Sequence, residues 1–212
     1  QTKNQEQRIA KSTAVWHLIM GMNLQNISDK KKSLRKTVIQ ERELTSKYKR
    51  DKFATKLANI SHDYLNDGAI IAGYYPIKSE LDIMPLMKNL SIIGHKVLLP
   101  CITDSKILEF RDWDINKAIL SQNIYAIPEP IEGQLHIPDY VYVPALLYDK
   151  NKYRLGYGGG FYDATIDYYR KNFSTKFIGV CYPANIKNNI FHEKHDQKVD
   201  FVIDLGKKYI ID

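Results

Sequence analysis

The strongest constraint on this chain is a set of apolar runs too short to be helices, set between stretches with helical spacing. Ala69–Tyr75 is continuously apolar between Gly68 and Pro76 and reads as a buried strand. Lys96–Leu99, Ile107–Phe110, Val141–Val143, Phe177–Cys181 and Phe201–Ile203 read as further strands. Helical spacing predicts a basic helix from Asp29 to about Lys49, capped by Ser28 or Asp29, with Leu34, Val38 and Leu44 on its apolar side. A second helix, Lys49–Leu65, repeats Phe53, Leu57, Ile60 and Tyr64. A third, Leu81–Ile93, tolerates Pro85 near its start and stops at Gly94. A polar helix over Asp114–Leu120 and another over Phe161–Lys171 complete the pattern. Strands alternating with helices predict an α/β, single-domain layered fold with a mostly parallel central sheet flanked by helices.

Composition excludes several classes. With 44% hydrophobic and 26% charged residues, the chain matches neither a disordered nor a collagenous protein. No apolar stretch approaches the roughly 18 residues of a spanning helix. Cys101 and Cys181 are too far apart for a CxxC site and too few for a disulfide framework, so the expected compartment is reducing and cytoplasmic. Residues 1–21 are expected to be a non-native or upstream-start extension, with Met22 the natural start and 22–212 one α/β domain. The formal charge of +7 is unevenly placed: residues 1–60 hold 14 basic and 5 acidic side chains, and residues 61–212 hold 17 and 19. A basic N-terminal quarter suits nucleic acid, an anionic surface or a polyanionic small ligand, and equally a solvated helical face.

The most informative segment is Arg154-Leu155-Gly156-Tyr157-Gly158-Gly159-Gly160-Phe161-Tyr162-Asp163, which holds four of the eleven glycines. Glycines let backbone amides approach a ligand, and the helix that follows adds unpaired N–H groups and a partial positive charge. Arg154 can add a bidentate phosphate contact. The loop is not a Walker A, because no Lys-Ser or Lys-Thr follows it, and Phe161 breaks the dinucleotide fingerprint. Asp163 would be repelled by bound polyphosphate unless a cation such as Mg²⁺ lies between them. A flexible loop capped by Asp163 is the alternative reading.

At this loop the chain resembles the 5-formyltetrahydrofolate cyclo-ligase family, whose Arg-Leu-Gly-x-Gly-x-Gly-Tyr-Tyr-Asp pattern differs here by one aromatic swap at Phe161. Lys31-x-x-x-Arg35, Tyr75-Pro76 with Glu80-Leu81-Asp82, Ile127-Pro128-Glu129-Pro130, Val143-Pro144 and His195-Asp196-x-x-Val199-Asp200 match in the family's order. The resemblance implies conversion of 5-formyltetrahydrofolate to 5,10-methenyltetrahydrofolate with ATP as co-substrate and Mg²⁺ as cofactor. It implies ATP contacts at Lys31, Arg35, Arg154, Leu155, Gly156, Tyr157, Gly158, Gly159, Gly160, Phe161 and Tyr162. It implies folate contacts at Tyr75, Glu80, Tyr157, Gly158, Gly159, Gly160 and Phe161, with Arg154 and Asp163 catalytic and Asp163 and Asp196 holding the metal. Partners are then small molecules, ATP and a folate that can carry a polyglutamate tail, with neither nucleic acid nor membrane expected. His195, Trp113 and Tyr125 stay without a role. Two other functions fit parts of the sequence. A nucleic-acid-binding protein using residues 30–56 explains the charge but not the loop, and a non-catalytic folate-binding regulator keeps the fold without turnover.

Overall fold

The computed structural model describes residues 27–60, 62–114, 119–206 and 209–211. Its centre is a seven-stranded sheet. In spatial order the strands are β12 (Tyr209–Ile211), β11 (Phe201–Asp204), β9 (Lys176–Val180), β6 (Tyr140–Pro144), β1 (Ile70–Ala72), β2 (Lys96–Cys101) and β3 (Glu109–Asp112). The five inner strands run parallel, and only β3 and β12, at the two edges, are antiparallel. Chain order reverses beside β1: β2 lies on one side and β6 on the other. A crevice therefore opens outside the carboxyl ends of β1 and β6, where such sheets bind ligands.

Alternation along the strands fills two apolar layers. Tyr142, Ile178, Val97 and Leu99 face one side, against Leu57 of α2 (Lys47–Ala58) and Leu86, Met87 and Leu90 of α3 (Met84–Ile92). Val141, Val143, Leu98, Phe177 and Val202 face the other, against Ile166 and Tyr169 of α4 (Phe161–Asn172). The strands are covered on both faces, which is why they read as unbroken apolar runs. Gly179 is the small position in this packing: an added Cβ would lie 2.7 Å from the Tyr148 ring, a fully buried side chain. Gly179→Ala is expected to lower stability by about 1–3 kcal/mol in chemical denaturation, the usual cost of overpacking.

The first helix, α1 (Ile27–Glu43), packs elsewhere. Its buried stripe is Lys31, Leu34, Val38 and Arg42, a 3–4 spacing with a cation at each end. Leu34 and Val38 meet Leu146, Leu147, Leu155 and Ile190, over a small sheet of β7 (Leu147–Asp149), β8 (Arg154–Leu155) and β10 (Ile186–Lys187).

Several expected boundaries move. The long basic helix breaks after Glu43, because Ser46 caps α2 by accepting the Lys49 N–H at 3.4 Å; Leu44 is then 76% exposed and lies off the apolar stripe. Ser28 and Asp29 fall inside the first turn of α1, before which nothing is described. α2 ends at Ala58, and Tyr64 reaches the same core from the following turn, its hydroxyl 2.9 Å from that of Tyr142. The Ala69–Tyr75 strand shortens to Ile70–Ala72, since the backbone leaves the sheet once Gly73 N–H has bonded Leu98 O at 2.9 Å. The third expected strand slides to Glu109–Asp112. The polar helix expected over Asp114–Leu120 lies mostly outside the described residues, and Leu120 instead opens β4 (Leu120–Gln122). The proline turn is a strand, β5 (Pro128–Pro130), paired with β4 in a separate two-stranded sheet. Such an edge pair tolerates residues that lack an N–H.

Candidate active site

The glycine loop leaves the small sheet at Leu155 and enters α4 at Phe161, near the crevice end of the main sheet. Gly160 caps α4 in the left-handed region (φ +76°) with no side-chain hydrogen bond, and Gly158 is left-handed too (φ +104°). The N–H groups of Phe161, Tyr162 and Asp163 precede the first helical bond, Ala164 N–H to Gly160 O. A side chain at either glycine would be strained, so the loop presents bare backbone to whatever binds there. Arg154 lies beneath it, 7% exposed, its Nη2 2.9 Å from Asp163 Oδ2 and its guanidinium over the Tyr162 ring at 5.6 Å. Its Nε is buried without a hydrogen-bond partner. A buried, unmatched cationic donor beside free amides is what an anion would satisfy.

Helix α1 supplies two more cations, one helical turn apart on one face. Arg35 Nε donates to Gly156 O at 2.9 Å, and a Cβ added to Gly158 would meet the Arg35 guanidinium at 3.4 Å. Burial lowers the Arg35 pKa, and the nearby Asp196 and Glu193 raise it. Lys31, 5% exposed, puts its ammonium 2.9 Å from Glu193 Oε2 and 2.5 Å from Asp196 Oδ2. The nearest partners of Lys31 are therefore carboxylates of the C-terminal segment, some 160 residues away in sequence.

That segment carries the expected metal ligand Asp196. Its Oδ2 also accepts the Glu193 N–H at 2.5 Å, and its Oδ1 lies 3.9 Å from His195 Nε2. Ligand atoms of Glu193, His195 and Asp196 all fall within 4.8 Å of one another. Asp163 joins from α4, its Oδ1 accepting the N–H of Gln197, the residue after Asp196. Glu193 and Asp196 thus offer hard oxygens of the kind that suits Mg²⁺, while Asp163 meets the same segment through the Gln197 N–H and keeps its other oxygen on Arg154. By donor chemistry the residues fit the ion.

The residues expected on the folate side, Tyr75 and Glu80, come from the loop after β1. Glu80 is 8% exposed; its Oε2 accepts the Ile77 N–H at 2.9 Å. Burial pushes its carboxyl up to about 7, against the pull of that hydrogen bond and of the Arg42 and Lys78 charges. Glu80 in turn acts on Tyr157 and Tyr162, so this loop faces the glycine loop. Lys78 spans the two, its ammonium 5.3 Å from the Tyr157 ring. The Tyr157 hydroxyl and the Ser79 Oγ are both buried without a hydrogen-bond partner. Tyr75 is half-buried against the first apolar layer.

The unassigned residues now have places. Trp113 is 6% exposed in the core. Tyr125, at the tip between β4 and β5, meets Phe161 edge-on at 5.6 Å and forms a rim above the loop. Glu193 and Arg42 escaped the sequence reading. Glu193 had no motif, but Arg42 had one signal, its place on the stripe with Leu34 and Val38.

A doubly wound sheet whose switch point is flanked by a bare glycine loop, buried and half-buried cations and a carboxylate cluster is an α/β architecture with a candidate site that would suit an anionic ligand. The family model for the 5-formyltetrahydrofolate cyclo-ligase family matches residues 27–204. The chain belongs to that family. It is 26% identical over 181 residues to the 5-formyltetrahydrofolate cyclo-ligase of Mycolicibacterium smegmatis, covering 82% of this chain and 92% of that one. The Haemophilus influenzae enzyme of the same name is 30% identical over 134 residues, 59% of this chain and 70% of the relative. Among solved structures, the 5,10-methenyltetrahydrofolate synthetase of Aquifex aeolicus superposes with a TM-score of 0.69 at 26% identity, over 81% of this chain and 88% of that one. The Mycoplasma pneumoniae synthetase shares the fold at a TM-score of 0.65 and 20% identity, over 82% and 98%.

Proposed function

We propose that this chain converts 5-formyltetrahydrofolate to 5,10-methenyltetrahydrofolate with hydrolysis of ATP to ADP and phosphate. The observation that carries the reading is the buried Arg154, with its unmatched Nε beneath the amides of the Gly156–Phe161 loop, whose Tyr157 ring lies 5.3 Å from the Lys78 ammonium of the Glu80 turn. A formamide oxygen is a poor leaving group. It attacks the γ-phosphorus, the β–γ bridging oxygen departs with ADP, and the carbon becomes electrophilic. The anilino nitrogen of the same folate closes the ring, its proton is lost, and phosphate leaves. The nucleophiles belong to the substrate, so the protein's share is positioning and charge neutralisation.

Arg154, Arg35 and the loop amides hold the phosphates, and the Phe161–Asp163 end of α4 adds its dipole. Lys31 anchors Glu193 and Asp196 while offering its charge to the same end of the site. Asp163 and Asp196 would hold Mg²⁺, which when bound supplies charge neutralisation on the transferring phosphoryl group. Glu80 accepts hydrogen bonds from pterin N–H groups, and Tyr75, Tyr157 and Phe161 line the folate.

The deciding experiment mixes the protein with 5-formyltetrahydrofolate, Mg²⁺ and ATP and follows methenylfolate absorbance. Absence of product from folded protein refutes the reading. Arg35→Ala is expected to raise the KM for ATP by about tenfold or more with the folate KM little changed, since one charged hydrogen-bond donor is worth about 1.5–3 kcal/mol. Lys31→Ala should move in the same direction and also lower stability, because it leaves Asp196 without its buried cation. Unaltered ATP kinetics in both variants would return α1 to a purely structural role.

A further inference from the structure

Arg42 ends the buried stripe of α1, yet no step above uses it. It is 3% exposed, and its guanidinium spends its hydrogen bonds on backbone carbonyls: Nε and Nη2 on Ser79 O at 3.0 and 2.5 Å, and Nη1 on Ala145 O at 3.0 Å. Ser79 belongs to the loop after β1, and Ala145 follows β6. These are the two strands that flank the switch point, so one side chain spans the crevice at its base. Burying a guanidinium costs several kcal/mol. The fork geometry gives a reason to retain it, because a planar guanidinium can hold two carbonyls of different elements at a fixed separation.

The turn it grips needs holding. Ile77–Glu80 closes by Glu80 N–H to Ile77 O at 3.0 Å and Ile77 N–H to Glu80 Oε2 at 2.9 Å. Lys78 within it is left-handed (φ +50°), a conformation that non-glycine residues adopt at a cost. Tyr182 secures the other side: its hydroxyl donates to Glu80 O at 3.1 Å, and its ring lies 5.3 Å from the Arg42 guanidinium. The backbone is thus clamped at Ser79 and at Glu80.

We propose that Arg42 is a positioning residue for the folate half of the site, holding the Ile77–Glu80 turn against the β6 end so that the Glu80 carboxylate faces the pterin. The inference rests on the cyclo-ligase reading for the identity of the ligand, and on the geometry alone for the link from Arg42 to Glu80. The same helix carries Arg35 and Lys31 seven and eleven residues earlier, so a single rigid element of about 16 Å ties the phosphate end to the pterin end.

The test uses Arg42→Lys and Arg42→Gln in the full chain, with thermal unfolding to confirm folding. Lysine keeps the charge but cannot bridge both carbonyls; glutamine loses the charge as well. Both variants are expected to raise the KM for 5-formyltetrahydrofolate by about tenfold or more with the ATP KM within about twofold. Glu80 is faced by Arg42 from α1, by Lys78 from its own turn, by Tyr74 from the loop after β1, and by Tyr157 and Tyr162 from the glycine loop and α4. Removing the one charge at Arg42 therefore moves the rising limb of the pH profile of kcat/KM for folate to higher pH in Arg42→Gln and leaves it in place in Arg42→Lys. Equal rises in both KM values, or wild-type folate kinetics, overturn the proposal. If Arg42→Gln fails to fold, the KM split in Arg42→Lys decides. A carbon-13 titration of the Glu80 carboxyl, assigned with Glu80→Gln, needs no turnover. A wild-type chain inactive on 5-formyltetrahydrofolate refutes the cyclo-ligase reading, and an unmoved titration in folded Arg42→Gln separately refutes the link.

Discussion

Asp163→Asn is expected to lose about 10²–10³-fold in ATP-dependent turnover, the range found when one preorganised electrostatic group is removed from a transition-state site, and to lower stability as well, since the buried Arg154 guanidinium loses its carboxylate. The amide is close to isosteric, but its single oxygen can accept only one of the two donors that now meet separate carboxylate oxygens, the Gln197 N–H at 3.0 Å and the Arg154 Nη2–H at 2.9 Å. What disappears is the negative charge that, in the proposed mechanism, would hold Mg²⁺ next to phosphate. Direct binding of 5-formyltetrahydrofolate should therefore change little, and added Mg²⁺ should restore part of the rate. Arg154→Met is the sharper companion. It removes the phosphate donor and also strands Asp163, so both activity and stability fall, the latter by about 3–5 kcal/mol as for any buried pair broken from one side. If Asp163→Asn retains full turnover at low Mg²⁺, the carboxylate serves only to orient Arg154, and the metal role passes to Asp196 and its neighbours Glu193 and His195.

How much of this was legible in the sequence depends on the range of the interaction. The glycine loop was legible because its donors, its left-handed positions and its helix start lie within ten consecutive residues. The inner strands were legible because burial on both faces confines polar residues to strand ends such as Lys96, Lys176 and Asp204. Lys31, by contrast, reads as one of several lysines on a basic helix until Glu193 and Asp196 are brought to it from the far end of the chain. Arg42 was hidden for a related reason. A charged residue on an apolar stripe looks like a flaw in the pattern, and its partners are backbone carbonyls that carry no sequence signal. Leu44 misled in the opposite direction: it is apolar and suitably spaced, but the helix had already ended. The β5 strand was concealed by prolines, which mark turns far more often than paired edges. The N-terminal basicity sharpens accordingly, since at least Lys31, Arg35 and Arg42 point inward at the site and are not part of a solvated face.

Glu80→Gln is expected to make the protein more stable at pH 8 and a poor binder of folate. The carboxyl titrates at about 7 in the fold against a usual 4.5, because burial disfavours its ionised form. Below pH 4.5 both folded and unfolded chains carry it neutral, and it contributes nothing to the pH dependence. Between 4.5 and 7 the unfolded chain releases the proton while the folded chain keeps it, so stability falls as pH rises; above 7 the full penalty persists. That penalty is about 3 kcal/mol, taken from a shift of two to three pH units. Glutamine removes the charge and keeps an oxygen for the Ile77 N–H, so Glu80→Gln should gain up to about that much at pH 8 and almost nothing at pH 4.5, read from urea unfolding at the two pH values. Function runs the other way. In the proposed mechanism an ionised Glu80 would accept charge-assisted hydrogen bonds from the pterin, each worth about 1.5–3 kcal/mol, so the variant should raise the folate KM by about tenfold to a hundredfold. In the wild type, kcat/KM for folate should climb as pH passes through 7, and the variant should lose that limb. A buried carboxylate that costs stability at neutral pH is retained where a ligand satisfies it. A Glu80→Gln protein that is no more stable at pH 8 than the wild type, with the limb intact, would move both the pH dependence and pterin recognition away from Glu80.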